Sequence, residues 1–571
     1  MMINIGTINK NYDVSSRFLF NFFLILPSLF FFLQYVIGDL NFVADDNIQA
    51  LERFFDPSYL LNDFFTNSSS ELNPRKIFIY LVIFITEIFY DDYFYTLFLI
   101  KLFVIIFLPY FVMLFFTDRF RNFFSNSKDQ LFFTFIFALL LIYSKSTFVT
   151  HFSIGWWTPL SLTQAAQSLA LTLGFASAYF INHGKYLGYF LFFCASLIHF
   201  PNAAMLAAII VIFSKSIQEL FLTSIILFVL LLASYIILNL FFITDYKLSS
   251  QDFIEYYVMQ PYIHTHHYRP DWLGPYGIIE GKHLFYIYNI FFIIASSIAA
   301  FYKRYRISLL FASFCLIYFI MISAQTFFVE TYPSRLVAAF GPSRFAQFGY
   351  LMMASALSLS YVIFKKEYND LFKKVLFKIR GLVFFRKIQI NNFKSRVSLK
   401  WSKDKELPKI KIYIILIVIL IPLFLSHVIP NPRDRLMVNK NLHNWVVSNT
   451  NNKDVFAIPY PRVLYWLQFA SITKRPVYYA NNLAFTDKSL KESNDRKNLL
   501  YGKWEEWGGE RGGGGAVKFY CNLTEEKILK AAKNYQLNYI IVDNKCIKEF
   551  SKLKKTYYDD EITIFKLPIL K

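Results

Sequence analysis

Three polar clusters in this chain hold residue types from which catalytic chemistry is built. The first is FVADDNIQALERFFDPSYLLNDFF at residues 42–65, which sets Asp45, Asp46, Glu52, Asp56 and Asp63 just after the first long apolar run. A carboxylate there either takes a proton from an acceptor hydroxyl as a general base or offers oxygen ligands to a divalent cation. The second is QPYIHTHHYRPDW at 260–272, with His264, His266, His267, Arg269 and Asp271. Its prolines disfavour a long helix and favour a shaped loop. Imidazoles beside a guanidinium suit a phosphate, a moving proton or a metal. HxHH lacks a second ligand pair at zinc spacing, so no metal ligand is assigned and a polar substrate is the preferred reading. The third is TYPSRLVAAFGPSRFAQF at 331–348, where Arg335 and Arg344 stand at the end of an apolar run. A guanidinium fork at headgroup depth matches a lipid phosphate. Each cluster also has a plainer reading: a solvated acidic loop, a structural loop, or arginines that snorkel.

The elements that must position these clusters are membrane helices. Mean hydropathy is +0.38, and 56% of the 571 residues are hydrophobic against 17% charged. A water-soluble fold of this length cannot bury that much apolar side chain. About eleven runs reach the length of a membrane span, near 17–37, 94–116, 131–149, 161–182, 186–199, 201–214, 217–243, 284–302, 307–329, 345–364 and 411–428. The first has no small-residue cleavage site and reads as an anchor. The pair at 186–214 breaks at Pro201 and is either two tight spans or one incomplete hairpin. The run 76–90 is short and carries Glu87, so it is placed on the outer surface as an interfacial helix.

Charge orients the spans. The chain carries a formal net charge of +20, and residues 365–411 hold 15 Lys and Arg against 4 Asp and Glu. Beside spanning helices, such a segment reads as a cytoplasmic loop on anionic lipid rather than a nucleic-acid site. Residues 38–75 hold seven acids and two bases, as an outer loop should. All three polar clusters then fall on the outer face.

From about residue 429 the pattern changes. Strand-length runs at 455–459, 476–480, 539–542 and 561–567 alternate with helical stretches such as TEEKILKAAKNY at 524–535, opened by Thr524 as N-cap. This predicts a small outer α/β domain over 429–571. GGERGGGG at 508–515 reads as a loop. Cys194 and Cys315 read as apolar filler in spans, and Cys521 and Cys546 are either paired or free.

The fold class expected is therefore mainly α: a polytopic helix bundle over 1–428 with a small C-terminal α/β domain. The bundle includes the acidic outer loop 38–93 and the basic cytoplasmic loop 365–410. An acidic loop after the first span, many spans and a small outer α/β domain together resemble the GT-C class of membrane glycosyltransferases. DDNIQALERFFDPSYLLNDFF, LIHFPNAAM, HTHHYRPDW, PSRFAQF and VFAIP…RPVYYAN more closely resemble a group of uncharacterised bacterial multi-pass proteins related to that class. The resemblance implies transfer of a sugar from a polyprenyl-phosphate carrier to an envelope acceptor, with inversion, on the outer face of the bacterial inner membrane. It implies that Asp45 or Asp46 is the catalytic base, with Asp63 a weaker second. His264, His266, His267, Arg269, Arg335 and Arg344 would then bind the phosphate of the donor. No WWDYG-type motif is present, which argues against the oligosaccharyl transferases. A divalent cation is compatible with these acids and not required by them. The expected partners are the bilayer and the lipid-linked sugar, and no nucleic acid. A flippase for lipid-linked glycans and a non-enzymatic envelope scaffold are the rival readings.

Overall fold

A computed structural model of the chain describes residues 14–37, 48–60, 63–71, 75–89, 93–143, 165–214, 216–240, 248–254, 256, 281–335, 337, 342, 345, 348–365, 440–459, 469–470, 473–479, 487–503, 506, 513–546 and 550–568. The chain is mainly helical and ends in a small mixed sheet. Among the described residues, four helices are long and apolar enough to cross a membrane: Ser16–Leu33, Leu99–Phe123, Ile217–Leu238 and Tyr305–Val329.

The bundle is built around one central helix. Helix α1 is Val14–Ile37, and three shorter helices follow: α2 (Ile48–Phe55), α3 (Phe64–Glu71) and α4 (Lys76–Phe89). Helix α5 (Tyr93–Phe120) then runs about 42 Å at 1.5 Å per residue. Helices α1, α6 (Ser127–Tyr143) and α7 (Ala165–Asn182) pack against it, and α8 (Tyr186–Ile198) packs on α7. Its C-terminal half is buried among phenylalanines. Phe116 meets Phe137 at 5.2 Å and Phe213 at 5.6 Å, and Phe120 meets Phe133 at 5.3 Å, mostly edge to face. That geometry sets the positive ring edge against the negative ring face. Gly188 lets α8 lie against α7, because a Cβ there would sit 2.6 Å from the Ile181 backbone nitrogen.

Helix α9 is Phe200–Ile212, and α8 and α9 are 13 residues each, shorter than the ~20 residues of a full span. His199 separates them, and its Nδ1 accepts from the Asn202 amide at the start of α9. Helix α4, with 14 residues, is also too short to span upright. It buries Phe78, Ile79, Val82 and Ile83 and leaves Tyr80, Phe84 and Ile88 exposed.

Helices α10 (Ile217–Leu240), α12 (Gly281–Phe301) and α13 (Tyr305–Gln325) expose apolar faces, with the short α11 (Ser250–Phe253) between α10 and α12. Phe221, Phe228 and Ile236 on α10, Ile290 and Ile294 on α12, and Leu309 and Leu316 on α13 are all exposed. Such faces are tolerated only against lipid or protein. Helix α14 is Gly349–Ile363.

The C-terminal part contains helices α15 (Lys440–Asn449), α16 (Asp487–Tyr501), α17 (Gly513–Cys521) and α18 (Glu525–Tyr535). Its strands are β1 (Val455–Ala457), β2 (Leu537–Asp543), β3 (Lys554–Tyr558) and β4 (Ile562–Lys566), in sheet order β1-β2-β4-β3. The β1–β2 pair is parallel and the other two pairs are antiparallel. Val477 of PVYYA adds one parallel bridge to Phe456. Thr524 caps α18 by accepting from the Lys527 amide, and Gln536 ends the helix in a left-handed conformation at φ 55°. Cys521 and Cys546 form a disulfide, with Cα atoms 4.7 Å apart. Cys194 and Cys315 are free, and the Cys315 thiol donates to Asn289 Oδ1.

The expected loop at 508–515 needs a correction. Gly513, Gly514 and Gly515 form the first turn of α17, while 508–512 lie outside the described residues. Burial of Ala516 and Tyr520 in the domain core holds this helix in spite of its glycines. The apolar run 411–428 and the basic segment 366–410 also lie outside the described residues.

Candidate functional site

The acidic stretch is fastened at each of its described carboxylates. Glu52 accepts from the Tyr93 hydroxyl at the start of α5 (2.5 Å), and Phe55 stacks on the same ring at 5.6 Å. Asp56 accepts from the amide and hydroxyl of Ser58, closing a tight turn. Those two bonds hold the exposed Asp56 carboxyl below its ordinary range. The turn ends at Leu60, whose φ of 47° is rare for a branched residue. Arg53 secures it by donating to the carbonyls of Tyr59 (2.5 Å) and Leu60 (2.6 Å).

Asp63 is fully buried. Its Oδ2 accepts from the Thr66 amide and hydroxyl, both at 2.7 Å, and so caps α3. Its Oδ1 accepts from the Val477 amide at 3.1 Å, across 414 residues of sequence. Burial pushes the carboxyl up from its ordinary range, against the Thr66 and Val477 bonds and the Arg496 charge, which pull it down. With three donors on its oxygens and its side chain fully buried, Asp63 ties the first loop to the C-terminal domain.

Arg335 makes the second tie. Its fork grips Asp487 at the start of α16 through two bonds of 2.5 and 2.6 Å, and its guanidinium lies 4.5 Å from the Phe253 ring centre. Asp487 also accepts from the Leu248 amide at 2.6 Å. One carboxylate thus gathers the segments around 248, 335 and 487. The bidentate grip on a buried carboxylate gives Arg335 a positioning contact, while 41% of its side chain stays exposed.

A third charge, missed by pattern reading, completes this junction. Arg496 donates to Glu492 Oε1 (3.0 and 2.7 Å) and to the Tyr478 carbonyl (3.1 Å). Its guanidinium lies over the rings of Phe64 (4.6 Å), Tyr535 (4.9 Å) and Tyr478 (5.6 Å). Such stacking holds a poorly hydrated cation without leaving it unpaired. Asp487 and Arg496 stand in DKSLKESNDRKNLLY, whose polarity resembles a solvated helix. Only their partners, far away in sequence, show that this face is buried. Tyr59, Leu60, Phe65, Phe253 and Val329 join Val446, Phe456 and Tyr478 in one apolar core. The first loop and the C-terminal domain are thereby fused at one end of the bundle.

Asp45, Asp46, His264, His266, His267, Arg269 and Arg344 lie outside the described residues. Asp46 precedes α2 by two residues, and α2 carries the Glu52 and Arg53 anchors just described. Among the described residues, no group of three or more His, Cys, Asp and Glu side chains is placed to hold a metal ion.

The opposite end of α5 carries another polar set. Asp118 accepts from the Asn182 side-chain amide and lies 3.6 Å from His183 Nε2. Arg119 approaches Glu219 of α10 at 3.9 Å. Arg121, Lys185, Lys303, Arg304 and Arg306 fall at helix ends nearby in the topology.

The class these features define is a helix-bundle protein with several candidate membrane helices and a disulfide-bonded C-terminal α/β domain. No protein-family model matches the chain, and no curated protein matches it either.

Proposed function

We propose that this chain is a polytopic membrane glycosyltransferase of GT-C-like architecture, with about eleven spans in the bacterial inner membrane and the C-terminal domain outside the cytoplasm. It would transfer a sugar from a polyprenyl-phosphate carrier to an envelope acceptor. The observation that carries the reading is the fastening of the first acidic loop to the C-terminal domain through Asp63 and Val477. GT-C chemistry needs its first-loop acid held rigidly at the outer face, since reacting atoms must sit ~3–3.5 Å apart. The Cys521–Cys546 disulfide supports an oxidising compartment for that face. The basic residues at the other end support a cytoplasmic side there.

In this reading Asp45 or Asp46 takes the proton of the acceptor hydroxyl. The acceptor oxygen attacks the anomeric carbon from the face opposite the phosphate, the carbon–oxygen bond to phosphate breaks, and the configuration inverts. Arg344 and Arg269, with His264, His266 and His267, meet the charge that develops on the departing polyprenyl phosphate. Asp63 and Arg335 position the loops that bear these groups.

The test is transfer in proteoliposomes with a panel of polyprenyl-phosphate sugars. A general base contributes roughly 10²–10⁴-fold, so Asp45→Asn or Asp46→Asn should lose at least about 100-fold in turnover with at least one donor. Turnover equal to wild type in both variants, on every donor that reacts, refutes the assignment.

A further inference from the structure

At the end of the bundle away from the C-terminal domain lies a cleft of about 380 Å³, within the ~300–1,000 Å³ of small-molecule sites. Its polar lining is Asn122, Ser125 and Asp129 on one side and Lys303, Arg304 and Arg306 on the other. Phe123, Val362 and Ile363 supply an apolar wall.

The charges on this lining are unbalanced. The Asp129 carboxylate already accepts from Ser125 Oγ (2.7 Å) and Asn126 Nδ2 (3.0 Å) at the start of α6. Lys303, Arg304 and Arg306 are exposed and have no ion pair among the described residues. Two of these cations also stand where a helix least favours them. Arg304 is the N-cap residue of the 21-residue α13, and Arg306 is in its first turn. Unsatisfied amides make that end positive, so cations there repel it and an anion is stabilised. Lys303 closes α12 in a left-handed conformation, φ 58°, with its amide donating to the Ala300 carbonyl and the Arg304 amide to that of Ala299.

We infer that this cleft binds a phosphate group, carried either by an anionic phospholipid of the adjacent leaflet or by a soluble phosphate ester. Two guanidiniums and an ammonium offer forked and point donors to phosphate oxygens. The wall of Phe123, Val362 and Ile363 suits the apolar part of a phosphate ester or the glycerol region of a lipid. The cleft lies at the other end of α5 from the junction with the C-terminal domain and does not depend on the proposed transfer reaction.

The experiment is native mass spectrometry and equilibrium titration of the full-length protein in detergent. The probes are phosphatidylglycerol, net-neutral phosphatidylcholine, glycerol 3-phosphate and inorganic phosphate. Wild type should bind phosphatidylglycerol or glycerol 3-phosphate more tightly than phosphatidylcholine, and whichever binds names the source. The triple variant K303Q/R304Q/R306Q should weaken that binding at least about tenfold, whereas Lys185→Gln, a charge loss elsewhere, should leave it unchanged. Asp129→Asn removes the one carboxylate and should tighten binding about threefold, a gain that misfolding cannot mimic. Failure of wild type to bind any phosphate probe overturns the inference. So does binding that is indifferent to both the triple variant and Asp129→Asn.

Discussion

The helix bundle and the C-terminal domain bury their aromatic rings in different ways. The bundle packs phenylalanine on phenylalanine around α5, as in the contacts of Phe116 with Phe137 and Phe213. In the C-terminal domain two buried tyrosines give their hydroxyls to backbone carbonyls. Tyr501 donates to the Ile458 carbonyl at 2.7 Å and Tyr520 to the Ile541 carbonyl at 2.8 Å. The proposed embedding of the bundle in lipid accounts for the difference. In lipid, apolar surface gains little by leaving the solvent, so close packing must hold helices together. In water, apolar burial drives folding, and bonding a buried hydroxyl offsets the cost of removing it from solvent. The junction combines both schemes: its apolar core is crossed by Asp63, Asp487, Arg335 and Arg496, each with named partners. The two regions should therefore fail separately, and the junction charges should decide whether failure spreads.

The largest expected effect comes from the disulfide. A cross-link over a sequence separation of 25 removes about 3.5 kcal/mol of loop entropy from the unfolded chain. Cys521→Ser with Cys546→Ser should lower the stability of the C-terminal domain by about that amount and leave bundle helicity intact. Thermal melts followed by proteolysis within 440–568 and by far-ultraviolet dichroism separate the two. Loss of both regions at one temperature would show that they form a single cooperative unit.

His443 comes next and probes the C-terminal domain alone. Its ring is buried against Phe469, and burial lowers its pKa from 6.5 to about 4. In the window between about pH 4 and 6.5 the unfolded chain binds the proton and the folded chain does not. Stability is therefore full above pH 6.5 and falls as pH drops towards 4. At ~1.36 kcal/mol per unit this amounts to about 3 kcal/mol at most. His443→Phe should flatten that slope in melts of the detergent-solubilised protein from pH 4 to 7. An unchanged slope would assign the pH dependence to other groups.

Asp63 tests the junction. Asp63→Ala removes the cap of α3, worth about 1 kcal/mol, and leaves the Val477 amide buried without its acceptor, at about 1–3 kcal/mol. Lys474, which lies 5.7 Å over the Tyr59 ring, should become a trypsin site. Asp63→Asn keeps one strong acceptor and should cost about half as much. In the transfer assay, Asp63→Asn should retain more turnover than the weaker of Asp45→Asn and Asp46→Asn. The reverse order would return Asp63 to the chemistry.

These tests bear on residues of very different legibility. Local signals worked where the physics is local. Thr524 reads as an N-cap because a hydroxyl before a helical apolar pattern meets the orphan amides, and it does so in the structure. The β-rich runs at 455–459, 539–542 and 561–567 became β1, β2 and β4. Non-local balances were hidden. Glycines disfavour the start of α17, yet burial of Ala516 and Tyr520 outweighs them. Spacing left Cys521 and Cys546 open, and the fold brings them together. Asp63 and Arg335 were recognisable as polar residues expected on one face of a membrane. Their partners, 414 and 152 residues away, carry no mark in the local pattern.

The smallest expected effects compare single hydrogen bonds in the two solvents. Tyr501→Phe leaves the buried Ile458 carbonyl without its donor and should cost about 1.5 kcal/mol. Ser28→Ala removes the 2.7 Å bond from α1 to the Ile106 carbonyl of α5. That carbonyl lies inside a helix and keeps its own backbone donor. Side-chain bonds between membrane helices average only about 0.6 kcal/mol. The ratio of the two losses, measured as shifts in unfolding midpoint of each region, should therefore exceed about two. Equal losses would mean that α1 and α5 meet in a surrounding that treats polar groups as water does, and the proposed membrane embedding of this pair would fail.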